Sequence, residues 1–224
     1  MARKIIPLVT SEFYHVYNRG VDKRDIFLDG QDFQRFLTSM ELFNSIEPIG
    51  SLFKSSKEKN PKKRKKLVGV ICYYLNKNHY HLILKQRIDG GISEFMKRLN
   101  GGYTCYFNEK HKRSGSLLQG VFKVKHVLNN NYLLHLSAYV NLNNRVHRLR
   151  GFTPKSSWQE YLNPAPEGFC EKSIVLGQFK NAAAYKKFAE EALESIIARR
   201  IEDENLEDLL LEGSWRGEAP PEVI

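Results

Sequence analysis

The alternation of apolar and polar positions predicts four strands and three helices before residue 150. Phe13 to Arg19 (FYHVYNR) is aromatic and β-branched and leaves through Asn-Arg-Gly, the pattern of a first strand. After the polar start Asp29-Gly-Gln-Asp, Phe33, Phe36, Leu37, Met40 and Phe43 recur at the helical period. Leu67 to Leu75 (LVGVICYYL) is a continuous apolar run that predicts a buried strand. His79 to Lys85 (HYHLILK) follows across Asn76-Lys77-Asn78, so the two segments predict an antiparallel hairpin. A second helix carries Ile92, Phe95, Met96, Leu99, Tyr103, Tyr106 and Phe107 on one stripe, and Gly101-Gly102 within it signals close packing or a bend. Leu118 to Val127 alternates like a fourth strand, and Asn129 to Asn131 supplies a polar start for a third helix from Tyr132 to Asn143.

The order β-α-β-β-α-β with an appended helix predicts an α+β fold, a ferredoxin-like antiparallel sheet with two helices on one face. Pro48, Gly50, Pro61 and the run KSSKEKNPKKRKK mark 47–66 as a basic loop inserted in that unit, with almost nothing to bury. Chain character changes near Arg150. Residues 1–150 thus form one unit, and 151–224 read as an acidic, largely helical C-terminal extension with Pro154, Pro164, Pro166 and the segment IEDENLEDLLLEG.

Composition narrows the class. With 42% hydrophobic and 12% aromatic residues in 224, the chain has enough to fill a core, which excludes wholesale disorder and fibrous repeats. The longest apolar run has nine residues, against roughly 20 for a bilayer span, so no membrane span is expected. The basic N-terminus lacks the apolar stretch of a signal peptide. Cys72, Cys105 and Cys170 are odd in number and show no CxxC spacing, which argues against a disulfide framework or a thiolate zinc site and fits a reducing cytoplasm. Charge is divided unevenly: residues 1–150 hold 27 basic against 11 acidic side chains, and 151–224 hold 8 against 14. Such a basic excess attracts a polyanion through phosphate neutralisation, although a solvated surface that keeps the protein soluble carries the same charge.

Two groups of residues carry candidate chemistry. His79 and His81 are two apart on a strand, so the pleat sets both imidazoles on one face, a chelating arrangement that two surface histidines would also show. His135, Tyr139 and Asn143 are spaced by four and share a helical face, a spacing that a packing tyrosine satisfies equally well.

Taken in order, FYHVYNRG, NHYHLIL, LLQGVFKVKHV and YLLHLSAYVNLN resemble the single-tyrosine transposases of the HUH superfamily, of the REP-associated tyrosine transposase type. The likeness spans most of residues 10–150. His79-Tyr80-His81 matches the two histidines flanking a bulky residue that give HUH its name, and Tyr139 lies 60 residues beyond His79 in the segment similar to the catalytic-tyrosine helix. The resemblance implies a metal-dependent transposase that nicks single-stranded or hairpin DNA through a 5′-phosphotyrosine intermediate and rejoins it. Tyr139 would be the nucleophile, and His79, His81 and Asn143 would bind Mg²⁺ or Mn²⁺. A free phenol is only about 0.1% ionised at pH 7, so a proton acceptor is needed; His135 is a candidate, with a packing role as the alternative. The absence of a GxxxxGK phosphate loop agrees with an exchange that needs no ATP. The chain departs from the family at Lys77 and at Asn143-Asn144, where the family often has Pro before Asn-His and Asn-Pro after the tyrosine.

Candidate DNA contacts are Arg19, Lys23, Arg24, Lys62, Lys63, Arg64, Lys65, Lys66, Lys123 and Lys125, with Tyr14 and Tyr17 as candidate stacking residues. A catalytically inert hairpin-binding or regulatory protein and an HUH replication or mobilisation nickase are the alternative readings. An RNA-binding module leaves His79, His81, Tyr139 and Asn143 unexplained. A homodimer and a monomer both remain open.

Overall fold

The structure is a computed structural model that describes residues 7–49, 64–146, 154–164 and 168–202. Lys62 and Lys63, most of the 47–66 loop and the acidic segment after Glu202 lie outside the described residues.

Strands β1 (Phe13–Arg19), β2 (Val68–Leu75), β3 (His79–Gln86), β4 (Lys123–His126) and β5 (Lys155–Ser156) form one antiparallel sheet in the order β4-β1-β3-β2-β5. Helix α1 (Gly30–Phe43) connects β1 to β2, and α2 (Gly91–Lys110) connects β3 to β4. The first four strands and these two helices have the ferredoxin-like arrangement that the pattern predicts, with β5 added at the β2 edge.

The first core fills the face under α1 and α2. Tyr14, Val16, Tyr80, Leu82 and Leu84 point into it from β1 and β3, against Phe33, Phe36 and Met40 of α1 and Phe95, Met96, Leu99 and Tyr103 of α2. The Gly101-Gly102 pair marks close packing and not a bend, since α2 is continuous and a Cβ on Gly102 would meet the Phe43 ring at 2.6 Å. The start of α1 and the end of α2 are tied by one buried carboxylate. Asp32 Oδ2 accepts from the Leu28 amide at 2.8 Å and lies 3.1 Å from His111 Nε2, and its Oδ1 accepts from Lys110 Nζ at 2.8 Å. Burial opposes its charge, but the hydrogen bonds from Lys110, the Leu28 amide and His111 outweigh it and hold Asp32 below the usual carboxylate range.

A second core lies on the opposite face. It is covered by α3 (Asn130–Asn141), α4 (Asn143–Val146), α5 (Trp158–Leu162), α6 (Ser173–Leu176) and α7 (Ala182–Glu202). Ile71, Cys72, Tyr74 and Ile83 of the sheet meet Leu136, Val140, Tyr161, Tyr185 and Ala189 there. A bulge between Val70 and Cys72 makes this possible. Strict alternation would send Tyr74 to the same side as Val70; the extra residue turns Tyr74 toward the second face and keeps Tyr73 and Leu75 in the first core.

Two predicted elements are shorter than the pattern suggests. The fourth strand spans only Lys123–His126, because Leu118 makes an isolated bridge with Gly20 and Gly120 turns the chain at φ +69. The third helix is capped by Asn129, whose side chain accepts from the Tyr132 amide at 2.8 Å, and it ends at Asn141. Leu142 leaves the helical conformation, so Asn143 opens α4 instead of closing α3. Among the described residues no helix is long and apolar enough to cross a membrane, and all three cysteines are free, Cys72 and Cys170 buried and Cys105 exposed.

Asp32→Asn should destabilise the protein by about 2 kcal/mol at pH 7, since it removes the charge that Lys110 and His111 face. Because the folded pKa of Asp32 is lowered, wild type keeps this contribution above the ordinary aspartate pKa of about 3.9 and loses it as pH falls through the folded value. Urea unfolding at pH 7 and near pH 3 should show the gap between the two proteins narrowing at the acid end.

Candidate active site

Alternation along β3 sends Tyr80 into the first core, where its hydroxyl donates to Asn100 Oδ1 at 2.7 Å, and sends His79 and His81 to the second face. Both imidazoles are buried, His79 6% and His81 1% exposed, and their ring centroids lie 5.1 Å apart. They are thus close enough to reach one ion. The turn that precedes β3 orients the first ring, since His79 Nδ1 is 2.7 Å from Asn78 Oδ1. An amide oxygen only accepts, so this contact assigns the proton to Nδ1 and the lone pair to Nε2.

The second ring is oriented from β1. His81 Nδ1 lies 2.9 Å from Nε2 of His15, and the two rings are stacked at 5.1 Å. His15 is buried beneath the sheet's helical cover, and burial first and the charge of Lys125 second lower its pKa to about 3. It is a neutral imidazole at physiological pH. Lys125 stands opposite it in the β1–β4 register, and burial lowers the lysine's own pKa.

Helix α3 brings the phenol to this pair. The Tyr139 ring meets His81 edge to face at 5.9 Å and 82°, and Tyr139 is 6% exposed. Tyr17 stacks on His81 at 5.7 Å, and Tyr74 lies at 6.5 Å. The neighbouring Tyr132 phenol is pushed up to about 12 by burial, then by Tyr17 and Tyr139. Asn143, four residues past Tyr139 at the start of α4, has no solvent exposure, and neither atom of its side-chain amide has a hydrogen-bond partner among the described residues. Leaving such a group unsatisfied costs about 1–3 kcal/mol, so a ligand at this amide would relieve a real penalty. His135 sits one turn before Tyr139 with its ring 5.0 Å from that of Phe188 on α7.

The structure gathers some predicted DNA contacts at this site and sets others apart. Arg19 and Lys123 line an open cleft with Tyr17, His79, His81 and Gln119, and Arg19 Nε donates to Gln119 Oε1 at 3.4 Å. Lys23 and Arg24 lie at the same end of the sheet, where the Lys23 carbonyl accepts from Asn78 Nδ2 at 3.1 Å. Lys125 faces His15. Arg64, Lys65 and Lys66 precede the start of β2, at the end of the sheet away from the histidines and roughly 20 Å from them by strand rise. Tyr14 points into the first core and not toward the cleft.

Two groups of residues escape a reading of the sequence. His15 was hidden inside FYHVYNR, where alternation sets it on one face with Tyr17; that parity was its only signal. The other group fixes the tyrosine helix. Tyr185 of α7 accepts from Asn141 Nδ2 at 3.0 Å and shares a hydrogen bond with Ser137 Oγ at 3.0 Å. Ser157 Oγ donates to Asn141 Oδ1 at 2.6 Å and accepts from the Tyr73 amide at 3.0 Å. A continuous polar chain thus runs from the sheet through α3 to the C-terminal helix.

The family described as "Transposase IS200 like" matches residues 55–162, which span β2, β3, α2, β4 and the tyrosine helix. This stretch is similar to the IS200-like transposases. Its histidine pair and its tyrosine both fall inside the matched residues. A solved structure titled "Structure of the REP associates tyrosine transposase bound to a REP hairpin" is similar at 12% identity with a TM-score of 0.48, covering 75% of this chain and 90% of that one. No curated protein matches. The matched stretch ends at residue 162, so α7 and its Tyr185 support the tyrosine helix from outside it.

Tyr185→Phe keeps the ring but removes the hydroxyl shared by Ser137 and Asn141. It should cost about 1–2 kcal/mol in urea unfolding, whereas phenylalanine at the unshared, exposed position Val121 should change stability by less than about 0.5 kcal/mol.

Proposed function

We propose that the protein is a metal-dependent DNA strand transferase that nicks single-stranded or hairpin DNA through Tyr139 and rejoins it. One observation carries the reading: a tyrosine on α3 meets a buried histidine pair on β3 within one chain, with a buried, unsatisfied asparagine amide four residues further along the chain. Tyr139 meets His81 of the same chain, so the reading is of a site assembled in cis that needs no second copy.

The residues fit a divalent cation. Among the described residues no three or more His, Cys, Asp or Glu side chains form a ready-made metal group, so the donors would be Nε2 of His79, Nε2 of His81 and Oδ1 of Asn143. Two imidazoles and an amide oxygen are a neutral set, which leaves the ion's full charge to meet a phosphate. When bound, Mg²⁺ or Mn²⁺ would supply Lewis-acid stabilisation of charge on the scissile phosphate.

The chain's own groups supply the remainder. Arg19 and Lys123 offer positive charge on the open side of the cleft and hold the strand that enters it. Tyr17, beside His81 on the cleft wall, offers a face for a base. The Tyr139 oxygen attacks phosphorus and gives up its proton; the bond from phosphorus to the 3′-oxygen breaks, and that oxygen leaves as a 3′-hydroxyl. The product is a 5′-phosphotyrosine, and attack on it by a 3′-hydroxyl reverses the step and restores the phenol. His135, one turn before Tyr139, is the candidate proton acceptor. The free cysteines suit a reducing cytoplasm.

End-labelled single-stranded and hairpin DNA pools, incubated with the full chain and Mn²⁺, should yield a protein–DNA adduct on a denaturing gel. Tyr139→Phe and EDTA should abolish it, and His79→Ala should lower its yield at least about 100-fold. Tight DNA binding with no adduct in any pool would instead identify an inert hairpin-binding protein.

A further inference from the structure

A histidine that ligates a metal through Nε2 must carry its proton on Nδ1, and that proton needs an acceptor. His79 has one in Asn78 Oδ1 at 2.7 Å. For His81 the group in that place is a third imidazole, His15 Nε2, at 2.9 Å and buried to 5% exposure. We propose that His15 is a positioning residue that accepts the Nδ1 proton of His81, so fixing the His81 tautomer and aiming its Nε2 at the metal position between β3 and α3.

The geometry supports this hydrogen bond. His15 Nε2 lies 2.9 Å from His81 Nδ1, and Lys125 stands opposite His15 across the β1–β4 pairing. The rings of His15 and His81 lie only 21° from parallel, and Tyr17 lies 22° from His81 on the same face, so the imidazole has little freedom to turn. The strand pleat explains why the pair meets: His15 and Tyr17 share the second face of β1, and Tyr17 is in register with His81. The role differs from that of Asn78, since an amide oxygen accepts in any state, whereas an imidazole accepts only from its unprotonated nitrogen.

The inference rests on the metal reading above, and its test separates the two. Long-range ¹H–¹⁵N spectra of the full chain, labelled at histidine and free of metal, report the tautomer of His81 directly. The expected result is an Nδ1-protonated His81 in wild type, lost in His15→Phe, which keeps a stacked ring but offers no acceptor. Mn²⁺ binding followed by electron paramagnetic resonance should weaken about 10- to 100-fold in His15→Phe and recover most of that loss in His15→Gln, whose amide oxygen can accept. An Nε2-protonated His81 in wild type, or unchanged Mn²⁺ affinity in His15→Phe, would overturn the role of His15 while leaving the metal reading intact. Wild-type protein that binds no Mn²⁺ in a manner lost on His79→Ala would overturn both.

Discussion

The pleat of β3 is the constraint on which the site depends. As a central strand paired on both edges and covered on both faces, β3 cannot leave alternate residues to solvent. Tyr80, Leu82 and Leu84 go to one core, and His79 and His81 are buried on the other side with Ile83. Buried imidazoles demand hydrogen-bond partners, and neighbouring side chains provide them: the turn contributes Asn78 and the adjacent strand contributes His15. Covering this face requires an apolar helix. The helix that does so carries Tyr139, so the burial of the histidine face and the approach of the phenol are one packing event.

The β2 bulge matters for the same reason. By shifting parity after Val70 it turns Tyr74 toward His81 without removing Tyr73 and Leu75 from the first core. The result is an aromatic enclosure of Tyr17, Tyr74 and Tyr139 around His81, open on the side of Arg19 and Lys123. An enclosure of that kind limits water at the imidazoles and keeps the charged groups at its mouth, where a polyanion would arrive.

The strands and first two helices were legible because their periods are strong and their turns carry Asn, Gly and Asp at the right places. His79 and His81 stood out by their spacing and Tyr139 only through the family resemblance, and the fold brings the histidine pair and the tyrosine together. The fourth strand was overread because LQGVFKVKHV alternates throughout, while the glycine inside it, Gly120, adopts a left-handed conformation that interrupts pairing. The end of the third helix was overread because YVNLNN continues its pattern with no glycine or proline to stop it. His15 and the Tyr185–Asn141–Ser157 chain were not legible, since contacts 66, 44 and 16 residues apart leave no local pattern.

The C-terminal residues looked separable in composition, and the packing argues otherwise for those described. Tyr161, Val175, Tyr185, Ala189 and Leu193 are buried in the same core as Ile71, Cys72 and Ile83 of the sheet. β5 extends the sheet at β2, and Ser157 bonds both the Tyr73 backbone and Asn141. A chain cut near residue 150 would therefore expose one face of the tyrosine helix and leave the side chains of Ser137 and Asn141 without their partners. Loss of any activity in such a fragment would not by itself identify a role for the acidic segment. The charge asymmetry between the two parts of the chain belongs to surfaces, whereas the contact between them is an apolar core threaded by hydroxyl and amide groups.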